Sequence, residues 1–375
     1  MKKLTIFAMS MGAGGAEKVI SLFLKELIKD YEVTLFLFYD SIHHPIPDGV
    51  KIISLYPSSQ NNWLRRLCSI PKGILAYARF LRKTRPDISL SFLYRPNVVS
   101  GILAPLFPHI RFIISERNYA SIEYAREGVK GWAGRVLLRW AYNRADTLFS
   151  NSEHINKDLR EHFHLTLPMS VIYNPIELPK ERHNVSREYP TRIVSVGRFS
   201  PIKNHTLLFQ ALRHLPDHRL TIWGEGGLRS EYERTLAELG LSDRVSLPGN
   251  TKHVLDEIKQ GELFVLSSIS EGFPNVLLEA MSVGLPVIAT NCLSGPLEML
   301  NENEPIDIEQ GGFALAKYGL MINVSDTKGL VSAVNYLSDH YEQRNFYSQK
   351  ALERAEQYTL PSIYKQLKAL IEEPI

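Results

Sequence analysis

Glu271-Gly-Phe-Pro-Asn-Val-Leu-Leu-Glu279 is the stretch of the sequence that decides the fold. The apolar residues 263–266 before it predict a buried parallel strand, and Pro274 suits the first position of a helix that ends near Ser282. The first glutamate then lies in a strand-to-helix turn, and the second lies inside the helix. The glycine of the turn lets a ligand approach the backbone, while the free N–H groups at the helix start suit a phosphate.

Two carboxylates, Glu271 and Glu279, therefore flank a helix start that can bind an anion. This arrangement suits a ligand with hydroxyl groups on both sides of its phosphates, such as a nucleotide-sugar. The alternative is a pair of solvated glutamates on a surface helix, which their spacing alone leaves open.

Strand and helix patterns alternate along both halves of the chain. Strands are predicted at residues 3–9, 31–38, 88–92, 112–115, 147–150 and 171–173, and then at 192–196, 220–223, 245–247, 264–266 and 287–290. Helices are predicted between them, including 15–28, 95–105 and a long basic helix at about 62–84. This alternation predicts parallel sheets with right-handed crossovers.

A polar break rich in charge and proline, residues 176–190, predicts a linker between two domains. The predicted fold class is therefore α/β, with two Rossmann-like domains that face a cleft. Residues 1–178 and 190–357 are predicted to form these domains. Residues 358–375 are predicted to form a helix that packs back on the first domain.

The composition excludes several classes of protein. At 375 residues and 44% apolar, the chain is globular, and its net charge of +3 is no signature of nucleic-acid binding. Its cysteines, Cys68 and Cys292, imply no disulfide framework and favour a reducing cytoplasm. No apolar stretch approaches the roughly 20 residues that span a bilayer, so any membrane contact is expected to be peripheral.

The first predicted strand is followed by a glycine-rich turn, Gly12-Ala-Gly14-Gly15-Ala-Glu17. Ligands of parallel sheets bind beyond the carboxyl ends of the strands, so this turn is a candidate anion site. A dinucleotide fingerprint requires glycine where Glu17 stands, which argues against NAD or FAD. An anion-binding turn and a plain tight turn both remain open.

Two cations follow the first strand of the second half, in Gly197-Arg198-Phe-Ser-Pro-Ile-Lys203-Asn204. Arg198 supplies a fork of donors and Lys203 a point charge, so the loop can clamp a diphosphate. Taken singly, each is an ordinary surface cation. Pro248-Gly249-Asn250 follows a later strand, where backbone groups can meet a base.

In combination, these stretches resemble the GT-B-fold glycosyltransferases of the large retaining family 4. The matching residues are Gly14-Gly15-Ala-Glu17, Asn174-Pro175, Gly197-Arg198 with Lys203-Asn204, and Glu271-Gly-Phe-Pro-Asn-Val-Leu-Leu-Glu279. The resemblance spans residues 12 to about 290. It implies a nucleotide-sugar donor in the second domain and an acceptor in the first.

The resemblance also implies roles for individual residues. Arg198 and Lys203 would bind the donor diphosphate, Glu279 the ribose hydroxyls, and Glu271 the sugar. The predicted donor-binding residues are Gly14, Gly15, Gly197, Asn250, Gly272, Phe273, Pro274, Asn275, Val276 and Glu279.

The predicted catalytic residues are Arg198, Lys203 and Glu271. The departing nucleoside diphosphate gains negative charge in the transition state, and the two cations with the helix-end N–H groups can meet it. The sequence contains no Asp-x-Asp metal motif, so a metal-independent reaction without a cofactor is predicted. By resemblance, the reaction retains the anomeric configuration, the departing phosphate accepts the acceptor's proton, and Glu271 positions the sugar.

Many members of the family carry a histidine near the transferring sugar. This chain has Arg117 there, in the run Ile113-Ile-Ser-Glu116-Arg117-Asn118, and a subset of bacterial envelope-polysaccharide enzymes shows a similar run. An arginine is unsuitable as a proton acceptor at neutral pH. Arg117 is therefore predicted, like Glu17, to be an acceptor or sugar contact.

Residues 61–85 hold seven basic residues and no acidic one. Apolar residues interleave with them, which predicts a helix that rests on anionic lipid and grips a lipid-linked diphosphate. A second basic stretch, residues 130–140, has the same character. A similar basic helix occurs in the related bacterial N-acetylgalactosaminyltransferases that act on polyprenyl-diphosphate-linked glycans. The residues predicted to contact the acceptor here are Arg65, Arg66, Lys72 and Arg79. The alternative is a solvated helix face over an ordinary core.

The sequence therefore predicts a retaining glycosyltransferase of cell-surface glycan synthesis. It would move a hexose or N-acetylhexosamine, with N-acetylgalactosamine as the leading sugar, from a UDP-sugar to a polyprenyl-diphosphate-linked saccharide. It is expected in the cytoplasm, peripheral on the inner face of the membrane, with no nucleic acid as partner. The alternatives are a UDP-sugar epimerase of the same fold, a GDP-sugar-dependent transferase and a Rossmann-type binding module without chemistry.

Overall fold

The computed structural model of the chain describes residues 1–57, 69–123, 129–189 and 191–373. The chain divides into two compact units, the first made of Met1–Pro175 with Leu360–Ile375 and the second of Ile176–Thr359. Each unit is an α/β domain built on one seven-stranded sheet, which confirms the predicted α/β class with two Rossmann-like domains. No helix within the described ranges is long and apolar enough to cross a membrane.

The sheet of the first unit consists of β1 (Lys2–Ala8), β2 (Tyr31–Asp40), β3 (Lys51–Pro57), β4 (Ile88–Phe92), β5 (Arg111–Glu116), β6 (Thr147–Ser150) and β7 (Met169–Val171). These strands are parallel and lie in the order β3-β2-β1-β4-β5-β6-β7. Every residue of β4, β5 and β6 is buried, because helices cover both faces of the sheet.

The helices of the first unit are α1 (Gly15–Asp30), α2 (Ser69–Thr84), α3 (Tyr94–Leu103), α4 (Ala120–Glu123), α5 (Val129–Tyr142) and α6 (Glu153–Phe163). Right-handed crossovers place α2, α3, α5 and α6 on one face of the sheet, where each packs against the next. Gly101 permits the contact between α3 and α5, since a Cβ there would lie 2.0 Å from the carbonyl oxygen of Ala141.

The C-terminal helix (Leu360–Glu372) packs on α1, as the sequence predicts. Tyr364 Oη donates to Asp30 Oδ2 at 2.6 Å, and Lys368 Nζ lies 2.8 Å from Asp30 Oδ1. The hydrogen bonds from Lys368 and Tyr364 hold the pKa of Asp30 below its ordinary value. The apolar face of this helix, including Ile363 and Leu367, is buried in the first unit.

The sheet of the second unit consists of β8 (Arg192–Val196), β9 (Arg219–Trp223), β10 (Val245–Gly249), β11 (Leu263–Leu266), β12 (Val287–Thr290), β13 (Ala314–Leu315) and β14 (Leu320–Ile322). The order is β10-β9-β8-β11-β12-β14-β13, and only β13 runs antiparallel to its neighbour among these strands. Its helices are α7 (Thr206–Leu212), α8 (Arg229–Glu238), α9 (Val254–Ile258), α10 (Asn275–Ser282), α11 (Pro296–Asn301), α12 (Thr327–Asp339) and α13 (Tyr341–Glu356).

Two predicted boundaries differ from the structure. The prediction that Pro274 is the first helical residue is wrong, because Pro274 is the extended cap of α10 (φ −73°, ψ 99°) and the helix begins at Asn275. The predicted linker 176–190 belongs in its described part to the second unit. Arg344 Nη2 holds it there by donating to the carbonyl oxygens of Ser186 and Glu188, at 3.0 and 2.9 Å.

Candidate active site

The loop between β11 and α10, residues 267–274, lies beside the 3-10 turn Pro201–Lys203. Ile269 N donates to the carbonyl oxygen of Ile202, and Ser267 Oγ donates to that of Lys203, both at 2.8 Å. These contacts form because β8 and β11 are neighbours in the sheet, so the loops beyond their carboxyl ends meet.

Lys203 and Glu271 form an ion pair across these two loops, with Lys203 Nζ 2.6 Å from Glu271 Oε1. Their side chains are 21% and 10% exposed, so the pair is largely shielded from solvent. Ser268 Oγ donates to the same carboxylate oxygen. Two of the three predicted catalytic residues are therefore in contact.

The backbone at Glu271 is fixed by the loop that follows β12. Glu271 N donates to the carbonyl oxygen of Leu293 at 2.7 Å, and Ser294 N donates to that of Glu271 at 2.8 Å. Gly295 has φ +88°, and a Cβ there would lie 2.6 Å from the carbonyl oxygen of Gly272, so the position requires glycine. Ser294 and Gly295 were not predicted as part of the site, although Ser-Gly-Pro is a typical start of a helix.

The helix α10 places Glu279 away from solvent. Glu279 is 4% exposed and Phe273 is buried, while Asn275 and Val276 are half-buried at the start of the helix. Because Glu271 is also largely shielded, the alternative of two solvated glutamates on a surface helix is excluded.

The turn of residues 197–199 packs backbone to backbone against the turn of residues 224–226. Gly197 N donates to the last carbonyl of β9 at 2.9 Å, and Phe199 N donates to that of Glu225 at 2.9 Å. Gly224 has φ +152°, and a Cβ there would lie 2.0 Å from the carbonyl oxygen of Gly197. The contact brings the exposed Arg198 to the carboxyl edge of β8, on the loop that also carries Lys203.

A buried histidine, His205, lies beside this turn and was not predicted, although it stands only two residues after Lys203. Its ring is 1% exposed and packs edge-on against Phe199 and Tyr232, with centroids 5.7 and 5.8 Å away. Burial lowers the pKa of His205 to about 3, and the charge of Lys203 adds to the shift. His205 is therefore neutral at physiological pH and supports the turn by packing.

Asn250, the predicted base contact, is an exposed residue directly after β10. Gly249 before it has φ +98°, and its carbonyl oxygen accepts a hydrogen bond from Gly224 N at 2.9 Å. Arg229 braces the same loops, because it pairs with Glu225 at 2.7 Å and donates to the carbonyl oxygen of Leu247 at 2.9 Å. The structure thus places Asn250 next to the turn that packs on Arg198.

In the first unit, the predicted glycine turn is the start of α1, where Gly14 is the cap and Gly15 the first helical residue. The carboxylate of Glu17 lies over Gly14, since a Cβ on Gly14 would be 2.1 Å from Glu17 Oε2. The helix macrodipole favours this carboxylate at the helix start. The predicted donor contact of Gly14 and Gly15 and the acceptor or sugar contact of Glu17 stay predictions.

Arg117, which follows β5, is buried in a polar network of the first unit. Its Nε donates to Ser115 Oγ at 2.9 Å, and its Nη1 donates to Asn174 Oδ1 at 2.7 Å. The guanidinium carbon lies 5.3 Å from the centre of the Phe92 ring and 5.0 Å from that of Phe149. Arg117 therefore ties the end of β5 to Asn174, near the end of the first unit.

Glu116 lies fully buried beside Arg117. Its Oε1 accepts the backbone N–H groups of Arg117 and Asn118 at 2.9 and 3.2 Å, and its Oε2 accepts Tyr142 Oη at 2.8 Å. Burial lowers the pKa of Arg117 to about 9, and the charge of Glu116 opposes this shift. The predicted substrate contact of Arg117 stays a prediction.

The basic helix α2 keeps its cations at the surface. Lys72 and Arg79, two of the predicted acceptor contacts, are exposed, whereas Tyr77 and Leu81 are buried in the core. The other two, Arg65 and Arg66, lie outside the described residues.

Cys292, in the loop after β12, is a further ionisable neighbour of the Lys203–Glu271 pair. Burial raises the pKa of its thiol to about 12, and the charge of Glu271 adds to the shift. The thiol is therefore protonated and is no nucleophile. Within the described ranges, no three histidine, cysteine, aspartate or glutamate side chains are grouped so that they could hold a metal ion.

Two family models together match nearly the whole chain. Glycosyltransferase Family 4 matches residues 13–180, and Glycosyl transferases group 1 matches residues 179–354. The chain is therefore a glycosyltransferase. It belongs to the GT-B glycosyltransferases of family 4 and group 1.

Individual relatives agree with this assignment. The chain is 29% identical over 365 residues to the Campylobacter jejuni N-acetylgalactosamine-N,N'-diacetylbacillosaminyl-diphospho-undecaprenol 4-alpha-N-acetylgalactosaminyltransferase, covering 96% of both chains. A second relative is the alpha-1,4-N-acetyl-D-galactosaminyltransferase of the same organism, which is named for a GalNAc-GalNAc-diNAcBac-PP-undecaprenol substrate. The chain is 23% identical to it over 380 residues, covering 100% of this chain and 99% of the relative. The structure of Anabaena HepE in complex with UDP and glucose shares the fold, with a TM-score of 0.78 at 18% identity and 100% of both chains covered.

Proposed function

We propose that this glycosyltransferase moves N-acetylgalactosamine from a UDP-sugar to a saccharide carried on polyprenyl diphosphate, in the synthesis of a cell-surface glycan. The names of the two Campylobacter relatives support this sugar and this class of acceptor. The observation that carries the proposal is the Lys203–Glu271 pair, which sets a cation and a carboxylate together beside the start of α10.

The donor lies in the second unit in this proposal. Its diphosphate meets Arg198 and Lys203, and the N–H groups at the start of α10 add further donors. The base lies toward Asn250, and Glu279 takes the ribose hydroxyls. Glu271, with the backbone of residues 272–276, positions the sugar.

The reaction breaks the bond between the anomeric carbon of the sugar and the β-phosphate oxygen of UDP. A bond to the acceptor oxygen forms on the same face, so the configuration is retained, and the acceptor's proton passes to the departing phosphate. We propose that no metal is needed, because Arg198, Lys203 and the helix-end N–H groups stabilise the negative charge that develops on UDP.

The acceptor lies in the first unit in this proposal, with its diphosphate near the exposed cations of α2. Lys72 and Arg79 are placed on the outer surface of this helix, and Arg65 and Arg66 precede it in the sequence. Such cations near an anionic membrane surface contribute about 1 kcal/mol each, so a few of them support reversible docking. The protein would then act in the cytoplasm, peripheral on the inner face of the membrane.

Calorimetric titration with UDP and GDP, in the presence of EDTA and separately in the presence of magnesium, tests the donor half of the proposal. We expect UDP to bind without metal and to bind roughly tenfold or more weakly to Glu279→Ala, which loses a charge-assisted hydrogen bond. If GDP binds and UDP does not, the donor is a GDP-sugar and the proposed UDP-sugar is wrong. If UDP binds only when magnesium is present, the proposed metal independence is wrong. An assay of sugar transfer from UDP-N-acetylgalactosamine to a disaccharide on polyprenyl diphosphate tests the acceptor half of the proposal. Absence of product would contradict it.

A further inference from the structure

The outer face of α5 carries an apolar stripe that is open to solvent. Trp132, Val136 and Trp140 are spaced four residues apart, so they lie on one side of the helix. Their exposed fractions are 61%, 47% and 47%. Two tryptophans at such exposure are unusual, because burying a large aromatic ring is strongly favourable, and the stripe therefore indicates a partner.

All charged residues of the segment that carries the stripe are basic. Residues 129–145 contain Lys130, Arg135, Arg139 and Arg144 and no acidic residue. The guanidinium of Arg144 lies 4.5 Å from the centre of the Trp140 ring. A second copy of the chain on this face would set these cations against each other, which opposes association. An anionic surface complements them.

The helices packed beside α5 also expose apolar side chains. α3 lies between α2 and α5, and the turn after α3 exposes Leu106. α2 exposes Leu75 between Lys72 and Arg79. Helices that lie in a bilayer interface typically combine exposed apolar side chains, basic residues and tryptophan.

We infer that α5 lies in the interface of an anionic bilayer, with Trp132, Val136 and Trp140 inserted among the headgroups. Arg135 and Arg139 then face lipid phosphates. This inference deepens the proposed membrane association, on which it rests, by naming the inserted residues. The two helices then contribute differently to membrane binding, because α2 supplies mainly positive charge and α5 adds apolar side chains that insert. Salt screens the charges but leaves the burial of apolar surface effective, so the α5 contribution persists at high salt.

Co-sedimentation of the full chain with phosphatidylglycerol-containing vesicles, at low and at high salt, tests this inference without donor or acceptor. We expect the double variant Trp132→Ser/Trp140→Ser to lose roughly tenfold or more in partitioning at both salt concentrations. The double variant Arg135→Gln/Arg139→Gln is expected to lose roughly thirtyfold at low salt and much less at high salt. Phe346→Ser is the matched control, because Phe346 is a 45% exposed aromatic residue in the second unit, and it should bind as wild type.

Thermal unfolding of each variant establishes that the fold is kept. Unchanged partitioning of the tryptophan variant, or an equal loss in Phe346→Ser, would overturn the inference. So would a tryptophan variant that converts a dimer to a monomer while its vesicle binding is unchanged, since the stripe would then be an interface between copies. Transfer to a water-soluble short-chain acceptor separates the two proposals. If wild type makes no product in that assay, the proposed function fails while the vesicle result stands.

Discussion

Lys203 Nζ lies 2.6 Å from Glu271 Oε1, although 68 residues separate the two along the chain. The pair holds the ammonium group in place before any anion arrives, so less side-chain freedom is lost when a phosphate binds. It also keeps the carboxylate from standing alone in a largely shielded position.

Lys203→Ala is expected to lower the rate of sugar transfer roughly ten- to a hundredfold, since one charge-assisted contact to the departing diphosphate is lost. Initial rates at saturating donor measure the effect. Lys317→Ala is the matched control, because Lys317 also forms ion pairs in the second unit, with Glu302 and Glu304. A Lys203→Ala enzyme with the wild-type rate would remove Lys203 from the catalytic site.

Gly224→Ala is expected to lower the free energy of unfolding by about 2–4 kcal/mol, because the residue has a left-handed φ and its Cβ would meet the carbonyl oxygen of Gly197. Urea unfolding of the purified protein measures this. Gly227→Ala, three residues on, is the control, since nothing lies within 4 Å of the Cβ position there. Equal effects of the two substitutions would contradict the close packing of the two turns.

Stability is expected to fall as the pH drops below the ordinary histidine range, because burial lowers the pKa of His205 from 6.5 to about 3 in the folded protein. The unfolded chain binds the proton first, so His205 alone costs about 1.4 kcal/mol of unfolding free energy for each pH unit between the two pKa values. Urea unfolding across this range should show a shallower pH dependence for His205→Gln. His214→Gln, at an exposed histidine of the same unit, should keep the wild-type slope.

Arg117→Ala is expected to destabilise the first unit by about 2–4 kcal/mol, since it removes a buried guanidinium and leaves its partners Ser115 and Asn174 short of a donor. Arg117→Lys should recover only part of this loss, because an ammonium group lacks the planar guanidinium that packs near both phenylalanine rings and donates to both partners from fixed positions. The free energy of unfolding of each variant tests this prediction, and Arg160→Ala, at an exposed arginine of the same unit, is the control. A raised acceptor KM in Arg117→Lys with unchanged stability would instead assign Arg117 to substrate binding.

The alternation of strands and helices was sufficient to predict the α/β class. It was also sufficient to place Arg198, Lys203 and Glu271 in loops at the carboxyl ends of strands. The direct contact between Lys203 and Glu271 was beyond the sequence, because it depends on β8 and β11 being neighbours, and a local pattern carries no strand order.

The environment of Arg117 was also beyond the sequence. Its run, Ser115 to Asn118, is polar and suits a surface loop. The structure buries the guanidinium beside Phe92 and Phe149, which lie at or near the ends of β4 and β6, the two strands on either side of β5. The same limit applies to α5. Its basic and aromatic composition can be read from the sequence, but the exposure of Trp132 and Trp140 cannot, because it depends on which face of α5 packs against α3.

The docking of the C-terminal helix on α1 determines the order in which the chain can mature on the ribosome. The helix is translated directly after the last residue of the second unit, so the first unit still lacks one helix when synthesis of the second unit is complete. Until then, the part of α1 that this helix covers stays open to solvent. The apolar face of the helix, which carries Ile363 and Leu367, is likewise unburied until it docks, so chaperones can bind it during synthesis.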